Sequence, residues 1–222
     1  MERLPVVVAK GEAVREVLPE QAIVHVESAA KGRSRESVLE RLTERSAAIG
    51  AVLDQFAAAI ERRESAGFHV RPQLKRRGEE VLAYHGVIAT RVIVTDFTVL
   101  GDLLLRLGGE ELTTVSGPWW RLRPETRAAA EVRQAAVADA LRRAGEYAAA
   151  VGAQVDRLIE ITDSFAESGY GMAAGSAGFR NLSAEDAGSL ELQLEPELQT
   201  VQAQVRVTVT ISEPTLPEPS PI

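Results

Sequence analysis

Two kinds of hydrophobic pattern follow one another along the chain, and each predicts its own kind of element. Strict alternation of apolar and polar residues is clearest from Val201 to Ile211. One face of that strand is apolar and the other polar, as in an antiparallel sheet with one face in water. Runs of β-branched residues bounded by Gly or Pro predict further strands at residues 6–9, 22–27, 68–74, 81–95, 112–123 and 155–162.

Helical periodicity predicts two long helices and a short one. Apolar residues three, four and seven positions apart form one face of a helix over residues 34–60, which Ser34 or Ser37 can cap. A second long helix opens at Pro124 and ends at Gly152, and its apolar stripe is mostly alanine. Four leucines predict the short helix, which ends at a Gly-Gly pair. We therefore predict an α+β fold in which one antiparallel β-sheet is packed against the two long α-helices.

The domain organisation follows from the chain length and from where the patterns stop. We predict one α+β domain over residues 1–213, with a division into two lobes as the alternative, because 222 residues suffice for either. Residues 164–195 are rich in Gly, Ala, Ser and acidic residues without a sustained period, which predicts a long flexible loop. Residues 214–222 contain four prolines and predict an extended Pro-rich tail.

Composition and charge exclude several classes of function. A net charge of -7 repels phosphate backbones, so we expect no nucleic-acid partner. The absence of cysteine excludes disulfides, thiol nucleophiles and thiolate metal sites. No apolar run approaches the roughly 18 residues of a membrane span, and the run Val6–Ala9 is too short for a secretory signal. We expect a cytoplasmic protein; an exported protein of the cell envelope with its signal removed is the alternative.

Several short pieces of sequence stand in a recognisable order over residues 6 to 212. They include a strand that ends at Gly11, the step Ala83-Tyr84-His85-Gly86 before the long central strand, Val151-Gly152 at the end of the long helix, and the closing strand to Ile211. In this order they resemble the SIMPL-domain family of bacterial proteins, although Gly108-Gly109-Glu110-Glu111 replaces that family's common Gly-Ala-Asn step. The resemblance implies an α+β fold, frequent export to the cell envelope, ring- or channel-like homo-oligomers in some members, and no established catalytic residues.

The histidines His25, His69 and His85 all fall in predicted strands. If the hairpin of residues 68–74 and 81–95 is centred on Arg77, then His69 and His85 lie directly opposite each other. Facing imidazoles can bind a metal, but zinc requires three or four ligands and no third ligand stands at a useful spacing. We therefore expect ordinary surface or half-buried histidines and no metal site.

Other patterns that could carry chemistry are incomplete. The segment Ala174-Gly175-Ser176-Ala177-Gly178 approaches a nucleophile elbow, but it lacks the flanking strand and helix and a later histidine. No nucleotide-binding glycine motif is complete. Lys75-Arg76-Arg77, followed by two glutamates, predicts a solvated hairpin tip rather than an anion or nucleic-acid contact. We expect no catalytic residues, no cofactor and no enzymatic activity.

Trp119 and Trp120 are adjacent, so in a strand their side chains point to opposite faces. One ring can fill the core, while the other needs a helix, a partner subunit or water, and tryptophan is enriched at interfaces. Together with the alanine stripe and with sheet edges that need cover, the pair indicates self-association. We predict a non-catalytic structural or interaction protein that forms a homo-oligomer, with Trp119 or Trp120 at the contact. A small-ligand or protein-binding module is the alternative, and an uncharacterised enzyme is a further one.

Overall fold

A computed structural model describes residues 4–75, 80–163 and 192–215 of the chain. All paired strands are antiparallel, which confirms the predicted α+β class. A 3-10 helix, Phe97–Val99, leads directly into the second α-helix. The elements follow in the order β1 (Val6–Val17), β2 (Gln21–Gly32), α1 (Arg35–Gln55), β3 (Ile60–Leu74), β4 (Val81–Val94), α2 (Leu100–Gly108), β5 (Thr113–Arg121), α3 (Arg127–Ala150), β6 (Val155–Asp163) and β7 (Gln199–Ile211).

The strands form two sheets, each in its own compact unit. The first unit contains a three-stranded sheet of order β1-β7-β6 with α3, and the second a four-stranded sheet of order β3-β4-β2-β5 with α1 and α2. The prediction of one sheet shared by two long helices is therefore wrong, because α3 packs on one sheet and α1 on the other. Alternation marks which residues of a strand face a core, but it does not identify the neighbouring strand.

In the first unit, α3 lies closely on β1 and β7. The alternate residues of β7 that face the helix are buried, from Val201 to Ile211. Small side chains on the helix allow the close approach, and the buried stripe is Ala129, Val132, Ala136, Ala140, Ala144 and Ala148. The helix begins at Arg127 after the N-cap Thr126, so Pro124 does not open it as predicted. It ends as predicted at Gly152, whose φ of 70° is left-handed.

The second unit has a larger aliphatic core between its sheet and its two helices. Ser34 caps α1 by accepting a hydrogen bond from the Ser37 backbone N–H over 3.1 Å. The apolar side of α1 then meets β2 and β4, while the leucines of α2 fill the same core. Each aliphatic side chain buried in this way contributes about 1.5–3 kcal/mol of transfer free energy. The core includes Val24, Val26, Ile49, Leu53, Val92, Val94, Leu100, Leu103 and Leu107.

The predicted loop at 164–195 falls mostly outside the described ranges. Residues 192–198 have no regular secondary structure, and Leu194 packs on the core of the second unit. Of the predicted tail at 214–222, the structure describes only the first two residues, and the Thr215 backbone N–H donates to the Val151 carbonyl oxygen over 2.9 Å. None of the helices in the described ranges combines the length and the apolar character needed to cross a membrane.

Candidate functional site

Trp119 and Trp120 lie on opposite faces of the four-stranded sheet, as adjacent strand residues do. Trp120 is level with Ala22 on the face that carries the aliphatic core, where its ring meets Phe97 edge-on with centroids 4.9 Å apart. Trp119 is level with Ile23 on the other face. Both rings are half-buried. Trp120 is therefore a core residue of its own unit. Trp119 lies on the sheet face that points away from α1 and α2, which we call the open face.

A β-bulge in β5 decides which tryptophan points into the core. Ile23 pairs with Trp119 but His25 pairs with Ser116, so β5 has one extra residue over this stretch. Gly117 has a φ of +109°, and a Cβ added there would lie 2.7 Å from the Ile23 carbonyl oxygen. Glycine is thus required by both the backbone conformation and the space. Without the extra residue the two rings would exchange faces.

His25, Arg91 and Glu64 form a polar row beside Trp119 on the open face. Arg91 pairs with His25 of β2 on one side and with Glu64 of β3 on the other. Its Nε donates to His25 Nε2 over 3.2 Å, and its Nη1 donates to Glu64 Oε2 over 3.3 Å. The His25 ring also meets the Trp119 ring edge-on, with centroids 4.9 Å apart.

The contact with Arg91 determines the tautomer of His25. Because Nε2 accepts a hydrogen bond from a guanidinium group, the proton of the neutral ring is assigned to Nδ1. The row therefore fixes the direction of the imidazole and leaves Nδ1–H as its donor. The sequence placed His25 in a strand, but the row itself depends on strand pairing that sequence patterns do not reveal.

The predicted opposition of His69 and His85 is wrong. His69 pairs with Val87 and His85 pairs with Arg71. Leu74 pairs with Val81, which moves the register by one residue from the predicted one, and an extra residue of β4 before Ala83 moves it by one more. His85 Nε2 instead lies 2.7 Å from the side-chain oxygen of Gln73. In the described part of the chain, no group of three His, Cys, Asp or Glu side chains is placed to hold a metal ion.

Two other sequence candidates fall wholly or partly outside the described residues. The elbow-like segment around Ser176 lies in the undescribed range 164–191. Of the basic cluster at the hairpin tip, only Lys75 is described, and its Nζ lies 2.7 Å from Glu80 Oε1.

The carboxyl groups with shifted pKa values are held as anions by structural contacts. The guanidinium of Arg123 lowers the pKa of Glu61, with further help from Gln21. Arg123 Nη2 lies 2.5 Å from Glu61 Oε2, and Gln21 Nε2 donates to Glu61 Oε1 over 3.0 Å. On α3, a hydrogen bond from Arg142 lowers the pKa of Asp139, and the Glu12 backbone N–H adds to the effect.

A polar cavity of about 380 Å³ lies between α1 and the turn before β5. Arg41 Nη1 donates to the Lys31 carbonyl oxygen over 2.6 Å, and Arg45 donates to the Ala29 carbonyl oxygen. Both carbonyls belong to the C-terminal end of β2, after Ser28, the last residue of β2 that pairs with β5. The two arginines thus supply donors to this end of the strand. The rest of the lining is Glu44, Ala48, Glu110, Glu111 and Thr113.

Three of the four edge strands carry features that hinder pairing with a further strand. β3 is interrupted by bulges and contains Pro72, and β5 contains the Gly117-Pro118 bulge. β1 is covered by side chains of α3, because the Glu12 backbone N–H donates to Asp139 Oδ2 over 3.1 Å. Arg143 of α3 also forms an ion pair with the Glu12 carboxylate, at 3.6 Å.

The remaining edge strand, β6, is exposed along its whole length. Leu158 pairs with Val209 and Ile161 with Val207, so both lie on the face that carries α3. The helix packs on β1 and β7 and barely reaches β6. On the outer side, the described residues supply no neighbouring strand. The exposed fractions are 40% for Val155, 44% for Leu158, 54% for Ile159 and 47% for Ile161.

These features define a class of protein: an α+β chain of two helix-backed antiparallel sheets, with an exposed apolar strand at one sheet edge. Comparison of the sequence with known families gives a match. The profile of the SIMPL family, described as a protein of unknown function (DUF541), matches residues 7–209. The chain belongs to the SIMPL family, which confirms the resemblance seen in the order of its motifs. No curated protein matches the chain.

Proposed function

We propose that this chain is a non-catalytic interaction protein that assembles into a homo-oligomer through the edge strand β6. The observation that carries the proposal is the exposure of β6, whose apolar side chains are 40–54% exposed and whose only neighbouring strand in the described residues is β7. An edge strand presents unpaired backbone N–H and C=O groups that can accept a further strand. Burying the apolar side chains of β6 would contribute about 25 cal/mol for each Å² removed from water.

The shifted carboxyl groups support a non-catalytic role. A general acid at neutral pH needs a carboxyl group with a raised pKa. In this chain the pKa values of Glu61 and Asp139 move in the opposite direction, because each accepts a hydrogen bond from an arginine. Both carboxylates are therefore used to hold elements together.

Two other features of the sequence argue for self-association, the alanine stripe of α3 and the tryptophan pair, and the structure supports them unequally. The alanine stripe of α3 is buried against β1 and β7 of its own unit, so it lends no support. Trp120 is used in the core beside Phe97. Trp119 lies half-buried on an open sheet face and is a second candidate contact with a partner.

Light scattering after size exclusion, at several protein concentrations, tests the proposal. We expect an oligomer for the wild type and a monomer for Leu158→Lys, because a lysine on an edge strand opposes further pairing. Val8→Lys is the matched control, since Val8 is exposed on β1 of the same sheet. Circular dichroism checks that each variant is folded. A wild type that stays monomeric at the highest concentration would reject self-association.

A second candidate function is the binding of a small charged ligand in the polar cavity beside α1. Its volume of about 380 Å³ falls in the range of ligand sites, and its lining carries charges of both signs. Zwitterionic amino acids are suitable probes. Binding would raise the melting temperature of the wild type, and Glu110→Gln would abolish that rise; no rise with any probe would reject this candidate.

A further inference from the structure

Resting on the proposed self-association, we propose that β6 pairs antiparallel with β6 of a second copy. The two-fold axis passes between Leu158 and Ile159, and Arg157 of each copy lies opposite the partner's Glu160. A two-fold contact uses the same surface on both copies and closes on itself, which gives a dimer rather than a filament. The two three-stranded sheets then form one continuous sheet of six strands, with β6 and its partner at the centre.

The comparison of sheet edges indicates why β6 is the strand that pairs. Prolines and bulges interrupt β3 and β5, and side chains of α3 reach the edge of β1. β6 also has bulges, at Asp156 and Ile159, but it contains no proline, and among the described residues no helix covers it. Its four apolar side chains are 40–54% exposed and would lose part of that exposure against a second strand.

The face on which each charge lies selects the register. Arg157 pairs with Thr210 and Glu160 with Thr208, so both charged side chains lie on the face away from α3. Residues directly opposite each other across two strands share a face. A register that sets Arg157 against the partner's Glu160 satisfies this condition, and the two-fold axis produces the ion pair twice.

The same register also brings together the two apolar side chains beside the axis. It sets Leu158 against the partner's Ile159, and the symmetry repeats this contact. A shift by one residue in one direction would place Arg157 opposite the partner's Ile161, which lies on the α3 face. A shift in the other direction would place Glu160 opposite the partner's Asp156, so that like charges face each other. Charge complementarity therefore favours this alignment over both of its neighbours.

Site-directed disulfides test the register, and the chain suits them because it contains no cysteine. Opposite residues of an antiparallel pair have Cβ atoms about 4.5–5.5 Å apart, near the reach of a disulfide. We expect a mixture of Arg157→Cys and Glu160→Cys to form a cross-linked dimer under mild oxidation. Neither variant alone should cross-link, and neither should a control mixture of Arg157→Cys with Thr162→Cys. Equal cross-linking in the control mixture would overturn the register.

Charge reversal gives a second readout that does not depend on oxidation. Arg157→Glu and Glu160→Arg should each weaken the dimer at least about tenfold, because like charges would face each other at both symmetric positions. The double variant Arg157→Glu/Glu160→Arg should restore the wild-type dissociation constant. A wild type that is monomeric rejects the proposed self-association itself. An oligomeric wild type with neither the specific cross-link nor the rescue rejects this register alone.

Discussion

Gly11 of β1 lies directly against the backbone of α3 at Ala140. A Cβ added to Gly11 would lie 2.3 Å from the Ala140 backbone nitrogen and 2.1 Å from the Ala136 carbonyl oxygen. Only a residue without a side chain fits there, and only a small side chain on the helix permits the approach. The glycine at the end of the first predicted strand and the alanine stripe of the long helix are thus two sides of one contact.

The first prediction concerns this contact. Gly11→Ala should lower the free energy of unfolding of the first unit by about 3 kcal/mol, because the clashing atoms belong to the helix backbone and cannot rotate away. Gly145→Ala is the matched control, since a Cβ at Gly145 of α3 meets nothing within 4 Å. It should raise stability by up to about 1 kcal/mol through helix propensity. Urea unfolding monitored by circular dichroism measures the free energy of unfolding of both variants. Equal changes in the two would contradict the packing argument.

The second prediction concerns acid stability. A hydrogen bond from Arg142 holds the pKa of Asp139 below its ordinary value of 3.8, with a further bond from the Glu12 backbone N–H. Because the folded-state pKa is lowered, the stabilisation is complete above 3.8 and is lost as the pH falls through the lowered pKa. We expect Asp139→Asn to reduce the loss of stability on acidification in this range. Glu16→Gln, on the exposed side of β1, is the control and should leave the pH profile unchanged.

The third prediction separates the two tryptophans. Trp120→Ala should lower the stability of the second unit by about 3 kcal/mol, because the ring packs against Phe97 and the aliphatic core. Trp119→Ala should cost about 1 kcal/mol, since that ring lies on the open face beside His25. Both tryptophans belong to β5, so the fluorescence of each single variant reports on this unit. A larger effect for Trp119 than for Trp120 would contradict the assignment of faces.

The fourth prediction concerns the tautomer of His25. While the ring is neutral, long-range proton–nitrogen NMR should show the proton on Nδ1, because Nε2 accepts from Arg91 Nε. Arg91→Leu removes that donor and should shift the population towards the Nε2–H form, which usually predominates when no partner selects a tautomer. Lys31→Leu is a control on the same sheet face that should leave His25 unchanged. An Nε2–H ring in the wild type would show that Arg91 does not bind it as described.

Local sequence patterns determined the elements and several of their ends. The alternation of β7, the stripes of both long helices and the leucines of α2 all correspond to observed elements. Ser34 caps α1, and Gly152 ends α3, because these signals act within one turn of the chain. The order of the motifs also identified the family. Pro124 was wrong as a helix start by three residues, since Thr126 is the N-cap.

Strand partners were decided only by the tertiary structure. Nothing in the pattern of β1 shows that it pairs with β7 near the end of the chain, whereas β2 pairs with β4 and β5. The division into two sheets follows from these pairings. Registers are equally nonlocal: the observed alignment of β3 with β4 sets His69 opposite Val87, and a single bulge residue in β5 places Trp120 in the core. The row of His25, Arg91 and Glu64 and the exposed edge of β6 depend on distant segments packing together, which periodicity within one segment does not encode.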